Sequence, residues 1–376
     1  MLIERIKNAG LRAWTNSRSW KPKSRIVVFE SDDWGSIRLP GRKGLKQLAD
    51  SGIRLDRSGY DRLDCLENGA DLEALFNTLS DFRDQIGRHP IFTLNTVMQN
   101  PDFEKIRHAG FRSYIGESFF ESYRRYKGQD LRAAWSEAIQ DGLIKPQFHA
   151  REHLNSDLWL HDLQRGVQDT IVAFDLDFFA HQTVTGSGRH DIYLVAHWPE
   201  SENNRATIEN SLLEGLDRFE ECFGYRSKTF VPCCYHFYSE GEAFIAEHGV
   251  KLIQGQRAQL EPRVPGLDSS YRVKRRYTGQ INPYGQIYTV RNVLFEPYLD
   301  QSRDWVSVAL DGIRNAFLFG APAIVCSHRV NYVGGIDLKH RDTSIHALSM
   351  LLQEILKRWP DVEFLSSDQL LDRIEI

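Results

Sequence analysis

Apolar positions along this chain switch repeatedly between a strand-like run and a helical stripe, and the alternation predicts strands separated by helices. The first run, Arg25-Ile26-Val27-Val28-Phe29-Glu30, is β-branched, follows Lys23-Ser24 and precedes Gly35, so it predicts a buried strand that stops at Asp32-Asp33. Leu45, Leu48 and Ala49 before Gly52 predict a short helix. Leu72, Leu75, Phe76, Leu79, Phe82 and Ile86 before Gly87 predict a longer one with a glycine stop.

Further on, Pro90 to Val97 predicts a strand, Leu131 to Gln140 a helix, and Gly142 to Phe148 a strand with His149 at its end. Ile208, Leu212, Leu216, Phe219 and Phe223, closed by Gly224, form an amphipathic helix. Lys228 to Val231 then leads to Ser239-Glu240-Gly241-Glu242, which has the spacing of a capping box, and Val250 to Gln254 returns as a strand. Strands at Gln286 to Val290, Asn292 to Glu296, Ala323 to Cys326 and Val362 to Leu365 and helices over 302–319 and 341–358 complete the pattern. Residues 154–200, with the flexible Thr185-Gly186-Ser187-Gly188, and residues 257–286 read as insertions. This order predicts an α/β fold with a mainly parallel sheet, in which functional groups gather at the carboxyl ends of the strands.

With 376 residues the chain can form two or three domains or one barrel with insertions. Its 47 Lys and Arg against 51 Asp and Glu, with no block of one sign, argue against a nucleic-acid surface or a polyanionic ligand. Five cysteines, two of them the adjacent Cys233-Cys234, fit neither a disulfide framework nor a four-thiolate zinc site and suggest a reducing compartment. Residues 1–20 lack the apolar core of an export signal and no run of 18 apolar residues occurs, so a cytoplasmic protein without a transmembrane segment is expected. Ile3, Ile6, Leu11 and Trp14 among basic residues make an amphipathic stretch that either packs on its own domain or touches a membrane surface.

The strand-end rule selects Asp32 and Asp33, His149 and His328, with His153 one helical turn's spacing beyond His149. Adjacent buried carboxylates need a cation, a proton or good hydrogen bonds, and two His with a carboxylate form a common hydrolytic zinc or iron set. His161, His181, His190, His197 and His236 have no stated partner and read as structural or surface residues. Cys233 and Cys234 read as buried thiols rather than metal ligands. Trp34, Tyr235, Phe237, Tyr238 and Tyr332 are either core or sugar-stacking rings.

These residues resemble the polysaccharide deacetylases, carbohydrate esterase family four. The resemblance lies in Ser31-Asp32-Asp33-Trp34-Gly35, in His149 to His153, and in the apolar strand Ile324-Val325-Cys326-Ser327-His328. Phe92-Thr93-Leu94-Asn95, Phe223-Gly224-Tyr225 through Phe230-Val231-Pro232, His248-Gly249-Val250-Lys251 and Val362-Glu363-Phe364-Leu365-Ser366 with Leu370-Leu371 extend it in order over roughly residues 22–376. It implies a distorted (β/α) barrel of about seven parallel strands, as a single catalytic barrel over 22–376 after an N-terminal extension at 1–21. It also implies one divalent ion, zinc or else iron, cobalt or nickel, held by Asp33, His149 and His153, with Asp32 as general base and His328 as general acid.

The implied reaction is hydrolytic removal of an acetyl group from an N- or O-acetylated sugar or glycan precursor. An amidohydrolase or glycosidase on the same barrel, or a decayed carbohydrate-binding module, are the alternatives. The chain departs from the family in the extra Trp34, in Val231 where an Arg is usual, and in Cys233-Cys234 where Pro and an aromatic are common; Arg291 is a candidate partner for the base.

Overall fold

The computed structural model describes residues 2–55, 59–181, 193–262 and 271–375. Nine parallel strands carry the fold: β1 (Arg25–Trp34), β2 (Phe92–Val97), β3 (Ile144–Ala150), β4 (Thr229–Phe230), β5 (Leu252–Gly255), β6 (Ile287–Val290), β7 (Val293–Leu294), β8 (Ala323–His328) and β9 (Val362–Leu365). Their order is β6-β5-β4-β3-β2-β1-β8-β7, with β9 paired to the first residues of β1 and a short antiparallel strand, Gln280–Ile281, outside β6.

β6 and β7 stand at opposite ends of this order, yet only Arg291 and Asn292 separate them in the chain. The Arg291 amide donates to Gly255 O on β5 at 2.9 Å, and the Asn292 amide donates to Ile324 O on β8 at 3.1 Å. The sheet therefore closes on itself at this dipeptide, and the result is a distorted (β/α) barrel with β9 wedged at its base.

Alternation along the strands sorts the side chains. Val27, Phe29, Phe92, Leu94, Phe148 and Val325 face the surrounding helices and join one large apolar core. Ile26, Val28, Ile324 and Leu365 fill the base of the barrel against Leu370 of the terminal helix Ser367–Ile374. Above them the interior turns polar. Ser367 donates to Glu30 at 2.9 Å and lies 3.1 Å from Thr93, and one layer higher Asn95 donates to Asp32 at 2.7 Å and to Gln254 at 2.8 Å. Buried polar groups of this kind persist because each finds a partner.

Several local expectations are corrected. The helix Gly69–Ser80 stops before Phe82, because Asp84 accepts from the Ile86 and Arg88 amides and turns the chain, leaving Ile86 62% exposed. The capping box at Ser239 does not form. Tyr238 occupies the cap of Ser239–Glu247, Ser239 donates to Glu261 instead, and Glu242 is drawn inward to accept from Tyr288 at 2.7 Å and Gln259 at 2.8 Å. The insertion over 257–286 holds the antiparallel hairpin Ala258–Pro262 with Tyr271–Arg275. Residues 154–200 include the helices Ser156–Gln164 and Gln168–Asp175, while Thr185-Gly186-Ser187-Gly188 and His190 lie outside the described residues.

The helix Leu2–Arg18 packs on the barrel near its closure: Asn16 bonds Asn315 at 2.8 Å and Asn292 at 2.9 Å. Among the described residues no helix is long and apolar enough to cross a membrane.

Candidate active site

Strand β1 does not stop before the aspartates, as its composition suggests, but runs through them to Trp34. A bulge in its pairing with β2 falls between Ser31 and Trp34, and Asp33 takes a left-handed conformation with φ 75°. Such a conformation is costly for a residue with a Cβ and is concentrated at functional sites. The bulge divides the two carboxylates. Asp32 stays in register beside His328 of β8, and Asp33 turns toward β3.

His149 lies within β3 rather than after it, with His153 in the turn beyond. Both rings meet Asp33: its Oδ1 is 3.6 Å from His149 Nε2 and 3.4 Å from His153 Nε2. His149 Nδ1 donates to Val231 O at 2.8 Å, which orients the ring and leaves Nε2 facing the carboxylate. Burial alone would raise the Asp33 carboxyl, but Arg38 and the two imidazoles hold it well below the usual carboxylate range. Burial, reinforced by Arg38, pushes His153 well below the ordinary histidine value, so it is neutral. Two imidazoles and an ionised carboxylate with converging donor atoms are the set a divalent cation takes, so these residues fit the ion implied by the sequence motif.

Asp32 is held differently. Arg291 binds it with two prongs, Nη1 to Oδ2 at 2.5 Å and Nη2 to Oδ1 at 2.7 Å, and the same guanidinium donates through Nε to Glu30 at 2.7 Å. Burial raises the Asp32 carboxyl, Arg291 outweighs it, and the group settles at about 2. His328 Nε2 lies 3.5 Å from Asp32 Oδ2, while its Nδ1 donates to Glu296 at 2.5 Å. Burial lowers the imidazole, but Glu296 and then Asp32 raise it further, to about 9. At neutral pH the pair is therefore an ionised carboxylate beside an imidazolium.

All five residues line one cleft of about 540 Å³, together with Arg38, Tyr60, Cys234, Tyr235 and Tyr298. Among the aromatics considered as stacking rings, only Tyr235 reaches it; Trp34, Phe237, Tyr238 and Tyr332 are buried in the core. Cys234 is exposed toward the cleft rather than buried, and Cys234 and Tyr235 carry successive left-handed φ values of 53° and 59°. His197 is buried and accepts the Cys233 amide at 3.1 Å, and His161 is a surface residue.

Sequence reasoning missed Glu296, Arg38, Asn95 and the Tyr60–Tyr298 pair, whose rings meet edge to face at 4.5 Å. Glu296 ends the predicted strand Asn292 to Glu296, so the strand-end rule applied there would have found it. Arg38 sits in a loop without a periodic signal and reaches Asp33 at 3.2 Å and Asp64 at 3.3 Å only through the fold.

No family model and no curated protein matches the sequence. Solved structures that align over nearly the whole chain include one described as a probable polysaccharide deacetylase from Pseudomonas aeruginosa PAO1, with 10% identity, 93% of this chain and 91% of that chain covered and a TM-score of 0.47. A second is the allantoinase PuuE, with 11% identity, 94% and 91% coverage and a TM-score of 0.45. A third is the 4-α-glucanotransferase of Thermococcus litoralis, with 8% identity, 93% of this chain but 40% of that chain covered and a TM-score of 0.47. These likenesses concern the course of the backbone alone.

Proposed function

We propose that the chain is a metal-dependent hydrolase that removes an acetyl group from an acetylated sugar or glycan precursor. The observation that carries this reading is the sharing of one cleft by two differently prepared groups: an ionised Asp32 paired with a protonated His328, and two imidazoles converging on Asp33. Asp33, His149 and His153 would hold the ion, which when bound polarises the acetyl carbonyl and favours ionisation of the attacking water.

Everything else is done by the chain. Asp32 accepts a proton from the attacking water, and Arg291 keeps that carboxylate oriented and charged between turnovers. His328 gives its Nε2 proton to the leaving amine or alkoxide, and Glu296 holds the ring by its other nitrogen, fixing which nitrogen delivers the proton. Tyr60, Tyr235 and Tyr298 offer ring faces and hydroxyls suited to a sugar. The backbone amide of Cys234, in the left-handed turn facing the cleft, is the candidate donor to the oxyanion.

The alternative of a decayed binding module draws on Val231, standing where an Arg is usual, and on a fourth family motif that has no clear counterpart in the sequence. Arg291, delivered from the barrel closure, supplies a guanidinium to Asp32 from another strand and removes the first motive. A glycosidase would work with a carboxylate pair across the bond, whereas Asp33 here is committed to two imidazoles.

The test is release of acetate from N- and O-acetylated sugars by purified protein, before and after chelation and on readdition of zinc. Acetate released only with metal supports the reading. Cleavage of glycosides, or sugar binding without acetate release in the metal-loaded protein, contradicts it.

A further inference from the structure

We propose that Cys233 is a fourth protein donor to the ion held by Asp33, His149 and His153, so that the site binds its metal partly through a thiolate. The inference rests on the reading of those three residues as a metal site, and it goes beyond that reading by adding a ligand of different softness.

A donor atom from each of His149, His153 and Cys233 lies within 4.8 Å of the other two, and all three residues are buried. Cys233 is pinned at both ends to this corner of the barrel. Val231, two residues before it, accepts the His149 Nδ1 proton at 2.8 Å, and the Cys233 amide donates to His197 at 3.1 Å. The bland account of the thiol is packing, since its apolar neighbours are Ala150 and Ala196. Packing explains a buried sulfur there but not the two imidazoles whose donor atoms converge with it. Zinc–sulfur bonds of about 2.3 Å and zinc–nitrogen bonds of about 2.0–2.1 Å set the reach of such a site, and Asp33 Oδ1 lies 3.6 and 3.4 Å from the same two rings.

On binding, the sulfur–hydrogen bond is replaced by a sulfur–metal bond and the proton leaves to solvent, with no change of oxidation state. The consequence is selectivity. A thiolate with two imidazoles and a carboxylate prefers zinc, or cobalt and iron in the divalent state, over magnesium and manganese. It also fills the fourth position of a tetrahedral ion, so turnover would proceed through a five-coordinate state or with the thiolate released.

Cobalt-loaded protein tests this, because a thiolate bound to cobalt gives a charge-transfer absorption in the near ultraviolet that oxygen and nitrogen donors do not. The wild-type chain is expected to bind one cobalt with this band, and Cys234→Ser and Cys326→Ser should keep it. Cys233→Ser should still bind cobalt but lose the band, and its zinc affinity, from competition with a chromophoric chelator, should fall at least about 10-fold; Cys233→Ala serves if the serine variant does not fold.

A wild-type protein with a full cobalt site and no band overturns the inference while leaving the three-residue site intact. A band that survives in Cys233→Ser also overturns it. Loss of the band in Cys326→Ser would move the ion to the Glu296, Cys326 and His328 group, whose donors are similarly close, and overturns it as well. Absence of any bound ion removes the metal reading itself and this inference with it.

Discussion

Asp32 and Asp33 are chemically identical and adjacent, yet their surroundings differ, as the separate roles proposed for them require. Asp32 faces Arg291 and His328, and Asp33 faces two imidazoles and Arg38. His328 is the residue whose state is most open to measurement. A general acid must be protonated, and this imidazole stays so until pH rises through about 9, so activity should be level through neutrality and fall above that point. Glu296→Gln removes the largest influence opposing burial. The alkaline limb of kcat/KM should then move to lower pH by about one unit or more, and an unmoved limb would mean that His328 is not the titrating acid. Asp32, Asp33, His149 and His328 were legible because strand ends are readable from sequence, and His153 because of its spacing from His149. Glu296 obeys the same rule, but its partnership with His328 spans 32 positions and depends on β7 and β8 lying side by side.

At the scale of elements, the segment after the β1 bulge decides whether the site is rigid. Gly35 has φ 80°, and a Cβ there would meet the Phe119 ring and Val97 O at 2.9 Å, so this glycine lets the chain turn sharply past β2. The following residues are then tied to β8 by Arg329, fully buried, which donates to Ser36 O at 2.5 Å, Glu67 at 2.9 Å and Asp64 at 3.0 Å. Asp64 also receives Arg38, so the loop that brings Arg38 to Asp33 hangs on Arg329. Arg329→Met would remove the cation that the buried Asp64 and Glu67 share, and its unfolding midpoint in denaturant should drop by an amount equivalent to roughly 3–5 kcal/mol; a loss below about 1 kcal/mol would show the network to be exchangeable with packing. None of this is visible in periodicity. The same blindness explains Ser239 and Glu242, which carry a capping-box spacing but were drawn instead into buried hydrogen bonds with the hairpin and β6.

For the whole molecule, the decisive event is the closing of the sheet at Arg291-Asn292. That dipeptide joins the last two edges, delivers the guanidinium that holds Asp32 and Glu30, and receives Asn16 of the N-terminal helix from outside. The alternation of strands and helices announced a mainly parallel sheet and the family resemblance a barrel, whereas the closure point carries only two short strands around an arginine and reads in sequence as little more than a loop boundary. Closure puts β1, β3 and β8 within reach of one cleft, and the central claim is that this cleft divides its labour between an ion-holding carboxylate and a proton-accepting one. Metal content and acetate release measured side by side for Asp32→Asn and Asp33→Asn test it most directly. The account predicts that Asp32→Asn keeps its metal and loses on the order of 10²- to 10⁴-fold in turnover, while Asp33→Asn loses the metal itself. An Asp32→Asn protein emptied of metal beside an Asp33→Asn protein that retains both metal and activity would contradict it.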